Sequence, residues 1–463
     1  MYLSSLDDLF HQEKVELYNN IAGIGGCKGR LKVDLYINPI PILFWDFESK
    51  KTTSRNREIT SDQDGYLLQP IKGYDILIDR PYSPHTFWSL AFSSTNSIHL
   101  RGSADRVIFG NEKLRSKEFH FFLTDFLFPR HHYRELGRIQ KRFEVEQDSQ
   151  RTFLSEYSAG RIFECLIDST FSIQITFPEE SMDLLENRLQ KAGSMITAKG
   201  KIIYSENNKT SLPRIKQVVK ELSNFCLFLS FANGGYVSPI IIEGASEQDR
   251  KNNSCIVSVM QTTPIEIKGQ SWVSLNTKFS DYVNCYPEFK KLLSLKHWGD
   301  DLEIILDWYF QIIQPLYFPI GKKWPILANA IGATLEKLYA LIVVNDLEQL
   351  TTDKSGKNLK AKIEITLQSI GIDRNIWHQD YDLIDEFIKL RNDATHAFKF
   401  NNFNDEQISV IIHHGIQWIE EILLWRLGYH GMYENRNFRH EKSISPRYDL
   451  SLWKFAKKNK NQK

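Results

Sequence analysis

One six-residue segment near the C-terminus, RNDATH, combines side chains that are able to cleave RNA. Arg391 carries a guanidinium, Asn392 a carboxamide and His396 an imidazole. An arginine grips a phosphate with a planar fork of donors, and a histidine can move a proton near neutral pH. RNA carries its own nucleophile, the ribose 2′-hydroxyl, so no water has to be activated. The segment therefore predicts Arg391, Asn392 and His396 as catalytic residues.

The spacing alone does not identify the site, because three segments contain an arginine five positions before a histidine: Arg80–His85, Arg115–His120 and Arg391–His396. Prolines in the first segment indicate an irregular loop. The second runs into a strand-like apolar stretch. The third lies in a long amphipathic helical pattern between other predicted helices, and this context selects it.

Each residue of the segment also has a structural interpretation. Arg391 could be an exposed helix arginine paired with Asp393 or Glu386, and His396 could be a histidine at a helix end whose hydrogen bonds are satisfied within the protein. The asparagine between them could be an ordinary surface residue. The next predicted helix contains His413–His414; since adjacent helix positions point to different faces, we interpret this pair as structural.

A second basic stretch, RHHYR, predicts contacts with RNA through Arg130, His132, Tyr133 and Arg134. The cations would hold the phosphate backbone and the tyrosine would stack on a base. The alternative is a solvated basic helix that is balanced by the acids of the following FEVEQD segment.

The hydrophobic patterning predicts an α+β protein with two domains and a tail. Residues 1–285 contain short runs of β-branched and aromatic residues separated by turn clusters, which is typical of a sandwich or barrel-like sheet. Two helical stretches interrupt them, at 131–147 and 214–231. Residues 286–430 have helical spacing and predict an up-and-down bundle. Its five helices are predicted at 300–314, from 324, at 359–370, from about 380 and at 405–427.

Composition predicts a soluble cytoplasmic protein. The 463 residues carry a net charge of +1, so they exert no global attraction on nucleic acid. The tail, 431–463, has nine Lys or Arg against three acids and is either a phosphate-contacting or a solvated end. Five scattered cysteines indicate reduced thiols. The N-terminus lacks signal-peptide features, and the most apolar stretch contains Glu336 and Lys337. No motif requires a metal or a cofactor, and we expect no membrane partner.

A helical bundle that ends in Arg, a polar residue, three more positions and then His resembles the HEPN superfamily of ribonucleases. In that family Asn, Asp or His is favoured directly after the arginine, and Asn392 fits. The long β-rich half, together with the segment FCLFLSFANGG…SPIIIE, resembles the ApeA-type proteins of anti-phage abortive-infection systems. The resemblance implies a toxin-like endoribonuclease in antiviral defence, acting on RNA, with tRNA as one candidate.

The resemblance also implies that two copies of the domain form the catalytic cleft. On a regular helix, five steps of about 100° place Arg391 and His396 on different faces, so one copy would hold a phosphate poorly. We therefore expect a homodimer with two of each around one groove. His396 would be the general base or acid, Arg391 would stabilise the phosphorane, and Asn392 would orient His396 or contact phosphate. The products would be a 2′,3′-cyclic phosphate and a 5′-hydroxyl.

Two other functions remain open at this point. The bundle could be a non-catalytic HEPN-like module for RNA binding or dimerisation. Alternatively, the N-terminal β domain could carry the main activity by binding a phage protein or a carbohydrate. In the nuclease interpretation that domain would sense a phage-derived trigger or restrain the enzyme.

Overall fold

We describe the protein from a computed structural model. Side chains are described for residues 114–126, 170–176, 196–205, 212–244, 272–273, 282–313, 323–348, 358–371, 383–395, 403–431, 433 and 436. For the other strand residues we give only the strand bounds and the pairing. Five predicted site residues lie outside the described residues: Arg130, His132, Tyr133, Arg134 and His396. The helix predicted at 131–147 lies outside them as well.

The chain divides into two compact units. The first consists of residues 1–126, 140–227 and 236–265, and the second of 127–139, 228–235 and 266–463. The domain boundaries predicted at 285 and 430 stay predictions.

Thirteen strands of the first unit form one antiparallel sheet. They are β1 Glu13–Leu17, β2 Lys28–Tyr36, β3 Ile42–Ser49, β4 Gly65–Pro70, β5 Ile76–Pro81, β6 Ser89–Phe92, β7 Ile98–Phe109, β8 Glu118–Thr124, β9 Arg161–Leu166, β10 Phe171–Phe177, β11 Ile196–Tyr204, β12 Ser238–Gly244 and β13 Ser254–Ser258.

Strand β7 joins two parts of this sheet. Its residue Ala104 pairs with Leu43 of β3 along one edge and with Pro81 of β5 along the other. The order β7, β5, β4, β1, β2, β3 therefore returns to β7, and these six strands form a closed ring. From β7 the sheet continues through β13, β12, β8, β11 and β10 to β9.

The second unit is mainly helical. Helix α1 is Ile215–Asn233, and its last residues belong to this unit. The others are α2 Tyr286–Ser294, α3 Gly299–Ile313, α4 Trp324–Tyr339 with a π-helical continuation Ala340–Asp346, α5 Leu359–Ser369, α6 Leu383–Thr395 and α7 Asp405–Arg426. A two-stranded hairpin, β14 Met432–Glu434 and β15 Asp449–Ser451, follows. The predicted α+β class is confirmed.

Helices α4 and α7 form the centre of the helical unit. Helix α4 packs against α3, α5, α6 and α7. Every residue of α7 from Ile411 to Leu424 is buried, because neighbours cover it on all sides. Its start is fixed by a capping box, in which Asn404 and Gln407 each accept a backbone N–H of the other.

The stretch Trp324–Asp346 is long and apolar enough to span a membrane by length and composition alone. In the structure 61% of its most apolar 18-residue stretch is buried inside the protein. This burial is compatible with a core helix of a soluble protein.

Candidate active site

Arg391 lies one turn before the end of α6, against the middle of α4. A Cβ atom at Gly332 of α4 would lie 3.7 Å from Cγ of Arg391 and 3.8 Å from its Nε. These are ordinary van der Waals distances, so a methyl group at position 332 would touch the arginine and a larger side chain would overlap with it. The side chain is half-buried, and its Nε is buried without a hydrogen-bond partner.

The helix beneath Arg391 is anchored one turn earlier by Phe387. This ring is fully buried, and it meets the Trp418 ring of α7 edge-on at a centroid distance of 6.0 Å. A Cβ atom at Gly415 of α7 would lie 3.5 Å from the same phenylalanine. Because residues four apart share a helix face, Phe387 fixes the face from which Arg391 projects.

The expected alternative for Arg391, an ion pair with Glu386 or Asp393, is not what the structure contains. Glu386 pairs with Lys389 at 2.8 Å. Within the described ranges, Arg391 forms no ion pair. A buried N–H without an acceptor costs about 1–3 kcal/mol, so its presence asks for an explanation. Among the described residues, no acceptor for the Nε–H of Arg391 is present.

The neighbours of Arg391 differ in exposure. Asn392 is exposed, whereas Asp393 is 7% exposed. Thr395 donates to the Asn392 carbonyl at 2.9 Å as the helix ends. Arg391 and Asn392 thus lie in neighbouring positions near the end of α6 but differ in surroundings, the first half-buried against α4 and the second exposed, while His396 lies outside the described residues.

The two histidines of the next helix are held inside the bundle. His413 is 5% exposed and His414 is 1% exposed. Each Nδ1 lies near the backbone carbonyl four residues earlier, at 2.7 Å from Ser409 and 3.0 Å from Val410. Such contacts suit the structural role that the sequence predicts for this pair.

Sequence reasoning missed a buried polar cluster where α7 meets the chain after it. Arg436 and Glu420 are fully buried and form an ion pair in which Arg436 Nε donates to Glu420 Oε2 at 2.7 Å. Tyr309 of α3 donates its hydroxyl to the same carboxylate. Arg436 lies within the predicted basic tail, so the start of that tail is packed into the helical unit.

A second carboxyl group, Glu421, lies beside this ion pair. Its Oε1 accepts hydrogen bonds from Gln417 at 2.8 Å and from the Tyr433 hydroxyl at 2.6 Å, and its Oε2 is buried without a partner. Burial raises the pKa of Glu421 from its ordinary 4.5 to about 7; the two hydrogen bonds oppose this rise, and the neighbouring Glu420 adds to it. The cluster thus contains one carboxylate, Glu420, whose charge is neutralised by Arg436, and one carboxyl group, Glu421, whose pKa lies near 7.

Replacing Glu421 with glutamine should remove a pH dependence of stability. The folded carboxyl keeps its proton up to about pH 7, whereas the unfolded chain releases it near 4.5. The native state therefore binds more protons between these values, and the unfolding free energy should fall by about 3 kcal/mol as the pH rises through them. Melting temperatures of the parent and Glu421→Gln should be similar at pH 4.5, and the variant should be more stable at pH 8. Parallel curves would refute this account.

The far end of α4 has its own network. Asp346, the last residue of the π-helical continuation, accepts hydrogen bonds from Trp298 Nε1 at 3.1 Å and from Arg426 Nε at 2.6 Å. His297 Nε2 lies 3.0 Å from the same carboxylate. These contacts join the start of α3 and the end of α7 to the end of the π-helix. We interpret the network as a structural clamp.

The sequence carried a signal for the buried cluster. Glu420 and Glu421 interrupt the apolar stripe of α7, and paired acids within such a stripe indicate buried partners. The sequence does not indicate the partners of these two acids, because Tyr309 lies far earlier in the chain and Arg436 lies after the end of α7.

Comparisons with known proteins find one family for the helical part. Residues 295–445 match the family model of the YopA C-terminal domain. No curated protein and no solved structure matches the chain. The match begins just before α3 and runs past Arg436, so it includes the buried cluster as well as Arg391. Residues 295–445 are thus similar to the YopA C-terminal domain, and their described part is mainly helical.

Proposed function

We propose that this chain is a metal-independent endoribonuclease of the HEPN type, with Arg391 and His396 as its main catalytic residues and Asn392 assisting them. Its N-terminal half would correspond to that of ApeA-type proteins, in which case the enzyme acts in the cytoplasm as a toxin in abortive infection. The half-buried guanidinium of Arg391 is the observation that carries the proposal. It has an unpartnered Nε and no ion pair with any described residue.

The groups of the RNDATH segment fit the chemistry of RNA cleavage. His396 takes the proton of the 2′-hydroxyl, the 2′-oxygen forms a bond to phosphorus, and the bond to the 5′-oxygen breaks. The leaving 5′-oxygen then takes up a proton from an imidazole. Arg391 stabilises the negative charge that develops on the phosphorane oxygens, because its donors are already in place. The products are a 2′,3′-cyclic phosphate and a 5′-hydroxyl.

The proposal includes partners. A second copy of the chain would supply the other Arg391 and His396, so that the active species is a homodimer. Sedimentation at assay concentration tests this, and a fully active monomer would contradict it. Single-stranded RNA, with a tRNA loop as the first candidate, suits the enzyme because unstacked bases are the easiest to read. Arg130, His132, Tyr133 and Arg134 would hold the flanking backbone, and the β-rich unit would respond to a phage-derived trigger.

A 2′-deoxy substitution tests the reaction. The protein is first incubated with total cellular RNA in excess EDTA, and the ends of the products are mapped. An oligonucleotide spanning the main cleavage site is then made with ribose or with 2′-deoxyribose at that one nucleotide. We expect the ribose oligonucleotide to be cut and the deoxy one to remain intact. Cutting of both would exclude 2′-hydroxyl attack.

If no RNA is cut with or without the trigger, the non-catalytic RNA-binding module becomes the better interpretation. Binding of the ribose oligonucleotide by the parent, measured by fluorescence anisotropy, separates that module from a protein that does not interact with RNA. Deletion of residues 1–285 removes the β-rich unit together with the parts of the second unit at 127–139, 228–235 and 266–285. Cutting by the remaining chain would show that the helices from α2 onward suffice for cleavage and would favour a regulatory role for what was removed.

A further inference from the structure

We propose that Gly332 is a positioning residue of the nuclease site, which sets the place of the Arg391 guanidinium by leaving a notch in α4. The inference rests on the proposed function, in which Arg391 binds the reacting phosphate. It concerns a residue outside the RNDATH segment, on a different helix and 59 positions earlier in the sequence.

The backbone of α4 gives no reason for a glycine at position 332. Gly332 is buried in the interior of α4, where glycine is among the least favoured residues. Its backbone needs no positive φ, since the described glycines with that conformation are Gly234, Gly371 and Gly428. The reason for a glycine must therefore come from its surroundings.

Those surroundings are the side chains of two other helices. A Cβ atom at 332 would lie 3.2 Å from Cδ2 of Leu359, at the start of α5, and 3.7 and 3.8 Å from Cγ and Nε of Arg391. The same Nε has no hydrogen-bond partner. Because neither an ion pair with a described residue nor a hydrogen bond at Nε fixes the arginine, contact with the wall of the notch must do so. A change in that wall would move the guanidinium.

The displacement of the Arg391 guanidinium should increase with the size of the side chain introduced at position 332. An alanine Cβ would be in ordinary contact with Arg391, and Leu359 would have to yield by a few tenths of an ångström. A valine adds two γ-carbons about 1.5 Å further out, and at least one would overlap with Arg391 or Leu359. Valine is therefore the informative variant, and its intrinsic preference for a helix is close to that of glycine.

The test measures steady-state cleavage of the ribose oligonucleotide by the parent, Gly332→Ala and Gly332→Val. We expect valine to lower kcat by about 10- to 100-fold with little change in KM, the size of loss that a misplacement of about 1 Å causes. Alanine should lower kcat less. In an Arg391→Ala background neither substitution should cause a further loss, because the notch acts through that arginine. An equal further loss in that background would overturn the proposal.

Gly431, just after the end of α7, provides a matched control. A Cβ atom there would lie 2.4 Å from the hydroxyl oxygen of the buried Tyr429, so Gly431→Ala also strains the packing of the helical unit, but through a residue that has no part in placing Arg391. It should lower the melting temperature while leaving kcat per folded molecule close to that of the parent. If kcat simply follows the melting temperature across all the variants, Gly332 is a packing residue only and the proposal fails.

A second readout does not depend on cleavage. The Nε–Hε resonance of Arg391, assigned by comparison with Arg391→Lys, should shift in Gly332→Val and stay in place in Gly431→Ala. An unchanged resonance in Gly332→Val overturns the positioning role even if the parent cuts RNA. A shifted resonance in a parent that cuts no RNA supports the positioning of Arg391 and rejects only the proposed reaction.

Discussion

Replacement of Arg391 with alanine is expected to lower RNA cleavage by about 10²–10³-fold, the usual cost of removing one preorganised donor from a developing oxyanion. The fold should survive the change. Within the described residues the guanidinium has no ion pair, so its removal leaves no buried acid without a partner. The loss should appear in kcat, with the melting temperature within a few degrees of the parent. A fixed-time assay in excess EDTA measures it.

Two control variants separate charge from geometry. Lys389→Ala removes a cation from the same helix, one that pairs with Glu386, and should cut RNA as the parent does. Arg391→Lys keeps the charge but loses the planar fork of donors, and we expect it to remain at least about tenfold slower than the parent. Equal losses in Arg391→Ala and Lys389→Ala would show that net charge on α6 matters and that Arg391 has no special role.

Replacement of Arg436 with methionine should destabilise the helical unit by about 3–5 kcal/mol. The change leaves the carboxylate of Glu420 fully buried without its cation, and removing one partner of a buried ion pair has this cost. Tyr309 would then be the remaining donor to that carboxylate among the described residues. Native-state hydrogen exchange of the α7 amides measures the loss in the helical unit alone, which matters because the chain contains two compact units.

The double variant Arg436→Met with Glu420→Gln is the control for this prediction. A neutral amide does not need the cation and can still accept from Tyr309, so most of the lost stability should return. If Arg436→Met costs less than about 1 kcal/mol, the pair is not the buried, dry pair that the structure contains.

The helices were predictable because their apolar residues follow helical spacing. The predicted helix at 300–314 is Gly299–Ile313 in the structure, and the one at 405–427 is Asp405–Arg426. The short helix Tyr286–Ser294 was missed, since nine residues contain too few turns to establish a period. The π-helical stretch Ala340–Asp346 was missed as well, because side-chain spacing does not distinguish it from the α-helix that it continues.

The sheet shows what a local pattern leaves out. Two of the short strand-like runs in the N-terminal half, SIHLRG and RVIFG, predict separate strands by their pattern, but in the structure both belong to the single strand β7, whose middle pairs with β3 and β5. The polar residues between the two runs suggested a turn. Pairing with segments more than twenty residues away overrides that local signal, and no local rule specifies such partners.

The candidate site also has one part that the sequence predicts and another part that it does not. Arg391 and Asn392 were placed on a helix correctly, because the helix is amphipathic and local. The notch at Gly332 and the missing acceptor at Arg391 Nε depend on contacts between helices far apart in sequence. Glu420 and Glu421 belong to a helix that is buried on all sides, so the usual assignment of acids to the surface fails there.

The decisive experiment compares three purified proteins on total cellular RNA in excess EDTA: the parent, Arg391→Ala and His396→Ala. The new RNA ends are mapped chemically in each reaction. We expect that the parent alone cuts and that it leaves 2′,3′-cyclic phosphates and 5′-hydroxyls. Equal cutting by all three proteins would contradict this expectation, because the activity would then belong to a contaminant or to a site outside the RNDATH segment.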